Sequence, residues 1–193
     1  MANQGKAAFI NPETFNELVS TIALAKRNRE RDIAILELGY RTGIRAKSLA
    51  EITVKQVIGA DGQIKKRCVL NSSQVKGKRS HTLYLTHPKL IAALEAYLAV
   101  RPDVEVANLF VSERGNAYSP RGMSELVLNL MRKAGLDGTS CHSLRRSFCS
   151  NKLHQGADLV SLKALMGHRH INTTLIYCET DEKRLESLVS TGE

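Results

Sequence analysis

The sequence of 193 residues contains no tryptophan, and aromatic side chains make up only 5% of it. Proteins that bind single-stranded nucleic acid without sequence preference stack bases on aromatic rings, so we expect no such platform here. No uninterrupted apolar run is long enough to span a bilayer, and the N-terminal residues MANQGKAAF lack the apolar centre of a signal peptide. We therefore expect a cytoplasmic protein with no membrane partner.

The sequence also lacks the short motifs of metal and nucleotide sites. Its four cysteines are not paired in a C-x-x-C motif, which predicts free thiols and no zinc site: Cys68, Cys141, Cys149 and Cys178. There is no D-x-D pair to bind Mg²⁺, and the phosphate-binding motif G-x-x-x-x-G-K-[ST] is absent. The sequence therefore predicts no cofactor and no metal.

Positive charge is what the chain has in excess. Lysine and arginine number 28 against 19 acidic residues, which gives a formal charge of +9 and a pI near 9.6. Basic proteins of this size most often bind nucleic acid, although a ribosomal protein or a merely solvated basic surface would look the same. The apolar share of 42% is enough for a core, and the length suits one domain.

The first part of the chain predicts helices. Asn11-Pro12-Glu13 combines a capping side chain, a proline for the first turn and an acid near the positive end of the dipole. The basic cluster from Lys26 to Arg31 is interpreted as a solvated link. The apolar segment from Asp32 to about Tyr40 predicts a centrally buried helix, and another helix begins near Ala46.

The middle of the chain predicts a small antiparallel sheet of three strands. Val54 to Ile58 and Ile64 to Leu70 flank an Asp-Gly turn, and Ser80 to Leu85 alternates polar and apolar residues. The connection from Asn71 to Arg79 is polar and basic. It would suit a phosphate backbone, and a solvated hairpin is an equally good interpretation.

Helices follow again, so the sequence predicts an α+β domain that is mostly helical. Helix starts lie at Thr86-His87-Pro88 and Ser119-Pro120, and Asp181 to Val189 can form a last helix.

The segment from Cys141 to Tyr177 carries side chains able to act on a phosphate. His142 and Arg145 are three residues apart and share one face of a helix. His168 follows the glycine that ends the next helix, and Tyr177 lies in a short segment that Asn172 could cap. Tyrosine can attack phosphorus, arginine can bind two phosphate oxygens, and histidine can move protons. These groups favour transesterification of a phosphodiester without metal or nucleotide.

Five segments, in this order, resemble those of the tyrosine recombinase (phage integrase) family, in its catalytic domain. Thr42-Gly43-Ile44-Arg45 resembles T-G-x-R, and Val75-Lys76-Gly77-Lys78 resembles the segment with the hairpin lysine. His142-Ser143-Leu144-Arg145 matches H-x-L-R, and Leu165-Met166-Gly167-His168 matches L-x-G-H. Thr173 to Tyr177 matches the segment of the nucleophilic tyrosine. The family's fold is therefore expected from about Phe9 to Tyr177.

The resemblance implies a catalytic set of six residues: Arg45, Lys76, His142, Arg145, His168 and Tyr177. Tyr177 would attack the scissile phosphate and form a 3′-phosphotyrosine, while Lys76 protonates the leaving 5′ oxygen. The two arginines and His168 would stabilise the phosphorane, and His142 would assist proton transfer. A 5′-hydroxyl from a partner strand would then reverse the attack and exchange strands.

The resemblance also implies partners and organisation. The partner is double-stranded DNA, bound at paired sites by a homotetramer with accessory DNA-bending proteins, so the protein is expected at the nucleoid. Residues 1–193 are expected to form a single catalytic domain without the N-terminal DNA-clamping domain. The helix within residues 181–190 would pass to a neighbouring protomer or pack on its own domain.

Two positions depart from the family pattern. Ser48 stands three residues after Arg45, where an acidic residue is usual, and Glu51 lies one helical turn later. Arg146 follows Arg145 where histidine is common, and we interpret it as a structural or DNA-facing residue.

Two rival functions remain open at this point. A type IB topoisomerase-like enzyme relaxes DNA with similar chemistry and without pairing two sites. A DNA-binding regulator could keep the fold after losing catalysis, although the intact basic residues and Tyr177 weigh against it.

Overall fold

Helices dominate the computed structural model, which describes residues 7–75 and 79–176. Its described elements, in chain order, are α1 (Pro12–Ala23), α2 (Arg29–Thr42), α3 (Ala46–Glu51), α4 (Val54–Val57), β1 (Arg67–Leu70), β2 (His81–Tyr84), α5 (Pro88–Val100), α6 (Pro120–Lys133), α7 (Cys141–His154), α8 (Leu159–Met166) and α9 (Asn172–Leu175). Lys76, Tyr177, Cys178 and the predicted helix at residues 181–190 lie outside the described residues. In the described part of the chain, no helix is long and apolar enough to cross a membrane.

Helix α2 lies at the centre of the fold. Ala34, Ile35, Leu36 and Leu38 on this helix are fully buried, and it packs against α1, α5, α6 and α7. This confirms the predicted central helix. The predicted start of α1 is also confirmed, since the Asn11 side chain accepts a hydrogen bond from the Thr14 amide at 2.7 Å.

The basic cluster was expected to be a solvated link, and that prediction is wrong at its end. Helix α2 already begins at Arg29, and Arg31 is only 7% exposed. The Arg31 guanidinium pairs with Asp32 at 2.8 Å and lies 5.7 Å from the centre of the Tyr118 ring. The arginine is buried because an acid and an aromatic face both offset its charge.

The predicted three-stranded sheet has two strands among the described residues, β1 and β2. They are antiparallel, with Cys68 opposite Leu83 and Leu70 opposite His81. The predicted strand from Val54 to Ile58 is wrong, because its first four residues form helix α4. Thr53 and Gln56 form a capping box there, which stabilises the helical turn. Only Ile58 keeps a strand-like bridge, to Ile64.

Helices α7 and α8 pack together through a second apolar cluster, formed by Phe148, Cys149, Leu153, Leu162 and Met166. Leu144, on the same helix as Phe148, joins the main core, so α7 bridges the two clusters. Helix α8 ends as predicted at Gly167, whose φ of 58° is left-handed. The predicted cap at Asn172 is wrong, because Asn172 is already the first residue of α9 and no side chain caps this helix.

Candidate active site

A cavity of about 620 Å³ opens between β2, α7, α8 and the junction of α2 with α3. Its described lining carries five arginine or lysine side chains and three histidines: Arg45, Arg79, Arg145, Lys163, Arg169, His81, His142 and His168. No acidic side chain belongs to this lining in the described ranges. We call this space the basic cavity. Four of the six predicted catalytic residues meet in it.

Arg145 joins three of the sequence motifs at the floor of the basic cavity. It is 4% exposed, and its Nη1 donates to the carbonyl of Gly43, in the T-G-x-R segment. Its Nη2 donates to the Met166 carbonyl at 2.5 Å, in the L-x-G-H segment, and lies 2.9 Å from Nε2 of His168. The planar guanidinium can contact several partners in fixed directions, so this one side chain sets the relative positions of the motifs.

Gly43 is required by the close approach of helix α7 to this junction. Its φ is 62°, and a Cβ atom there would lie 2.7 Å from the ring of Phe148. An alanine would be strained by both the backbone angle and the contact. The glycine therefore allows the Gly43 carbonyl to reach Arg145.

His168 is buried beside Arg145, with 7% of its surface exposed. Because arginine can only donate, Nε2 of His168 accepts from Arg145, and Nδ1 carries the proton and donates to Thr174 Oγ1 at 2.9 Å. Burial, together with the positive charges of Arg145 and Arg45, lowers the pKa of His168 to about 4. The imidazole is therefore neutral at physiological pH until negative charge enters the cavity.

Arg45 and His142 approach the cavity from two other directions. Arg45 is the half-buried residue that precedes the first turn of α3, immediately after the Thr42-Gly43-Ile44 turn. His142 is exposed in the first turn of α7, and it lines the same cavity as Arg145 three residues later. The prediction that these two α7 side chains share a face is confirmed.

Lys76 and Tyr177 are the two predicted catalytic residues that lie outside the described residues, so their roles stay predictions. Described residues near them in the sequence do line the basic cavity. Val75, which is 6% exposed, forms part of its wall, and so does Thr173.

His81 also lines the basic cavity, and the sequence reasoning missed it. Its Nε2 donates to the Leu165 carbonyl at 3.0 Å, and a Cβ atom on Gly167 would lie 3.0 Å from its ring. Burial lowers the pKa of His81, so this ring is held neutral against the end of α8. The alternation of β2 contained the signal, because a polar residue two positions before Leu83 falls on the buried face.

Three further cations in the cavity were not singled out either. Arg79 precedes β2, Lys163 lies on α8, and Arg169 follows His168. Each lies beside a predicted motif rather than within it, and lysine and arginine are too common on basic surfaces to stand out in the sequence.

The two departures from the family pattern have structural explanations. Ser48 is buried and donates from Oγ to the Gln74 carbonyl at 2.6 Å. Arg146 donates from Nη1 to the Ala7 carbonyl, which anchors the segment before α1. Arg146 therefore has a structural contact, one of its two expected roles.

The described cysteines are free thiols, as predicted. Burial raises the pKa of Cys68 to about 11 and that of Cys141 to about 12. Neither forms a reactive thiolate near neutral pH. Cys178 lies outside the described residues.

A larger cavity of about 900 Å³ is also bounded by β2 and α8. Its wall includes Phe9, Tyr84, Pro88, Phe148 and Leu165, with Arg41, Lys152 and His154 among its polar residues. We call it the apolar groove. None of the six predicted catalytic residues lines it in the described part of the chain.

Comparison with known proteins gives a family match over most of the chain. A model of the phage integrase family matches residues 8–184. The chain belongs to the phage integrase family. A relative within it, the tyrosine recombinase XerC of Thermodesulfovibrio yellowstonii, is 32% identical over 186 residues, which is 92% of this chain and 59% of that protein. The chain thus spans about three fifths of the length of such curated relatives.

Solved structures of a recombinase and an integrase share this fold. A crystal structure of XerA recombinase superposes with a TM-score of 0.79 at 21% identity, over 96% of this chain and 65% of that one. The catalytic domain of bacteriophage HP1 integrase superposes with a TM-score of 0.64 at 19% identity, over 97% of this chain and 96% of that one. These likenesses confirm the expected mostly helical fold of a tyrosine recombinase catalytic domain with a small antiparallel sheet.

Proposed function

We propose that the chain is a site-specific DNA recombinase that breaks and rejoins DNA strands through a 3′-phosphotyrosine at Tyr177. The observation that carries the proposal is the convergence of three motifs on Arg145 in the basic cavity. Double-stranded DNA is the proposed partner, as in the structure of a XerH recombinase bound to its difH substrate.

The charges of the basic cavity support binding of a phosphodiester. A phosphodiester carries one negative charge, and its transition state places more charge on the non-bridging oxygens. Arg45 and Arg145 line the cavity with permanently charged groups. Since the described lining holds no acid, the attraction is not offset from within the cavity. Burial strengthens each of these contacts relative to water.

The protonation of His168 supports a change of role when phosphate binds. In the protein alone its Nε2 accepts from Arg145. A phosphate oxygen between the two residues would accept from Arg145 instead, and its negative charge would raise the pKa of His168. The protonated Nε2 would then donate to the phosphate. His168 and Arg145 would together stabilise the phosphorane.

The remaining proposed roles complete a balanced reaction. The Tyr177 oxygen forms a bond to phosphorus while the bond from phosphorus to the 5′ oxygen breaks. Lys76 gives a proton to that leaving oxygen, and His142, in the first turn of α7, assists proton transfer by accepting the proton that the Tyr177 hydroxyl loses. The reverse attack by a 5′-hydroxyl rejoins the strand, so neither metal nor nucleotide is needed as an energy source.

Covalent capture tests this proposal. The chain is incubated with a pool of duplexes that carry a randomised segment ahead of a nick, so that cleavage releases a short strand that diffuses away. We expect an adduct stable to denaturing detergent, whose modified peptide carries the nucleotide on Tyr177 and which Tyr177→Phe does not form. Tyr84→Phe, which changes an exposed tyrosine of β2, should react like the wild type. No adduct from the wild type, or a persistent adduct from Tyr177→Phe, contradicts the proposal.

The recovered duplex sequence then separates recombination from its rivals. Products joined between two such duplexes support a recombinase, whereas relaxation of supercoiled DNA alone indicates a topoisomerase. Sequence-selective binding without any adduct indicates a regulator that has lost catalysis. We also propose a homotetramer on paired sites, and sedimentation of the chain with its recovered duplex measures the number of protomers.

A further inference from the structure

Gln74 lies at the start of the segment that carries the proposed general acid, Lys76. It is 7% exposed, and every polar atom of the residue has a hydrogen-bond partner. A buried glutamine that is satisfied at all of its atoms is held in one orientation, since any rotation would leave polar groups without partners. Such a residue fixes the backbone around it.

The side-chain amide of Gln74 joins three separate segments. Its Nε2 donates to the Glu51 carbonyl at 2.6 Å and to Gln56 Oε1 at 3.1 Å. Its Oε1 accepts from the Asn71 amide and from Gln56 Nε2, both at 2.8 Å. The two glutamine amides therefore pair reciprocally, which ties the end of β1 to α3 and α4.

The backbone of Gln74 is held by helix α3. Ser48 Oγ donates to the Gln74 carbonyl at 2.6 Å, and the Gln74 amide donates to the Asn71 carbonyl at 3.0 Å. Lys47, also on α3, donates to the Ser73 carbonyl. Since Arg45 directly precedes this helix, α3 positions a catalytic arginine at one end and the lysine segment along its side.

Ser48 supplies a contact that the acidic residue usual in the family could not make. An ionised carboxylate only accepts hydrogen bonds, so it could not bind the carbonyl of Gln74. A serine hydroxyl donates. Because Ser48 stands in place of the acid, α3 donates a hydrogen bond to the Gln74 carbonyl, two residues before Lys76.

We propose that Gln74, held by Ser48 and Gln56, is a positioning residue for the general acid Lys76. The inference rests on the proposed function. Two residues of extended chain span at most about 7 Å, so fixing Gln74 restricts where Lys76 can lie. Val75, between them, is buried in the wall of the basic cavity. Misplacing a catalytic group by about 1 Å can slow a reaction by about 100-fold.

A sulfur-substituted substrate separates positioning of the acid from general damage to the fold. The duplex recovered by covalent capture is made with oxygen or with sulfur as the bridging 5′ atom of the scissile phosphate. A thiolate leaves without being protonated, so cleavage of the sulfur duplex needs no general acid. Loss of the acid therefore slows cleavage of the oxygen duplex alone.

We expect Gln74→Ala to slow adduct formation on the oxygen duplex by about 10 to 100-fold and on the sulfur duplex by less than about 3-fold. Lys76→Ala should show the same pattern with a larger loss on oxygen. Ser48→Ala is a milder second variant, because it removes one hydrogen bond from the Gln74 carbonyl. It should also slow cleavage of the oxygen duplex more than cleavage of the sulfur duplex.

Asn108→Ala is the matched control. Its Nδ2 donates to the Ala50 carbonyl at 2.9 Å, so it supports the same helix without contacting the lysine segment. It should lower stability and leave the oxygen-to-sulfur rate ratio unchanged.

Three results would overturn the inference. Equal slowing of both duplexes by Gln74→Ala and Ser48→Ala would show a structural role only, and unchanged rates would show no role. If Lys76→Ala slows cleavage of the sulfur duplex as much as cleavage of the oxygen duplex, Lys76 is not the general acid. Gln74 then cannot be a positioning residue for that acid. That last result is a failure of the proposed function, and the Lys76→Ala measurement alone identifies it.

Discussion

The basic cavity and the apolar groove are neighbours with opposite chemistry. Both are bounded by β2 and α8, and the groove is the larger, at about 900 Å³ against about 620 Å³. The groove is walled by rings and aliphatic side chains, and its basic side chains Arg41, Lys152 and His154 lie on α2 and α7. The cavity gathers cations and histidines from separate segments of the chain around one buried arginine.

The comparison shows that size alone does not locate a reactive site. The basic cavity is distinguished by its buried arginine and histidine side chains. Burying such groups costs free energy unless specific hydrogen-bond partners hold them. The groove has matching residue types that are not fully buried, since Arg41 and Lys152 are half-buried and His154 is exposed. Arg41, Lys152 and His154 therefore serve as internal controls for Arg145, Lys163 and His168.

The largest difference should come from the two arginines. Arg145→Lys keeps the charge and loses the planar fork that contacts Gly43, Met166 and the phosphate, so we expect adduct formation to slow by about 10³-fold or more. Arg41 pairs with Glu37 at 3.0 Å beside the groove, and Arg41→Lys should change the rate by less than about 3-fold. Single-turnover rates on the captured duplex, with circular dichroism as a check of folding, measure both. If Arg41→Lys slowed adduct formation as much as Arg145→Lys, the reaction could not be assigned to the basic cavity.

The next difference should appear in stability as a function of pH. The pKa of His168 is lowered to about 4 in the folded protein, so the unfolded chain binds this proton more readily. Stability should therefore fall as the pH drops from above 6.5 toward 4. Against an unfolded pKa of about 6.5, this residue accounts for a loss of about 2 kcal/mol at pH 5.

Urea unfolding at pH 7.5 and pH 5 measures this effect. His168→Gln should remove about 2 kcal/mol of the difference between the two pH values, while His154→Gln in the groove should leave it unchanged. His81 and His87 also have lowered pKa values, so part of the wild-type difference will remain in both variants. A pH dependence that His168→Gln does not reduce would contradict the burial of a neutral imidazole at this position.

The smallest difference should concern the flanking lysines. Lys163 lines the basic cavity and Lys152 lines the groove. If Lys163 contacts a phosphate, Lys163→Ala should reduce the slope of log affinity against log salt concentration by about 0.9. Lys152→Ala should leave that slope unchanged. Fluorescence anisotropy with the captured duplex across a range of salt concentrations gives both slopes, and equal slopes for the two variants would remove Lys163 from the DNA-binding surface.

The sequence predicted the parts of the site that local patterns determine. Helix spacing placed His142 with Arg145, and Gly167 ended α8 before His168, because these relations depend on a few neighbouring residues. The bridging role of Arg145 was not predicted. It depends on carbonyls 102 and 21 residues away in the sequence, and no local pattern records such distances.

The errors have both local and long-range origins. The strand predicted from Val54 to Ile58 is helical because a capping box between Thr53 and Gln56 stabilises a turn of helix. Arg31 looked solvated because its aromatic partner, Tyr118, lies far along the chain. His81 was missed although its strand alternation placed it inward, because a single histidine on a strand is weak evidence until the loop it supports is known.

The central claim is that the basic cavity holds the scissile phosphate. A crystal structure of the Tyr177→Phe variant with its captured duplex tests this most directly, because the variant can bind the phosphodiester and cannot cleave it. The account predicts that oxygens of the scissile phosphate lie within about 3 Å of the Arg145 guanidinium and of His168 Nε2. These contacts would replace the hydrogen bond between Arg145 and His168. A scissile phosphate bound in the apolar groove, or one with Arg145 still bonded to His168, would contradict it.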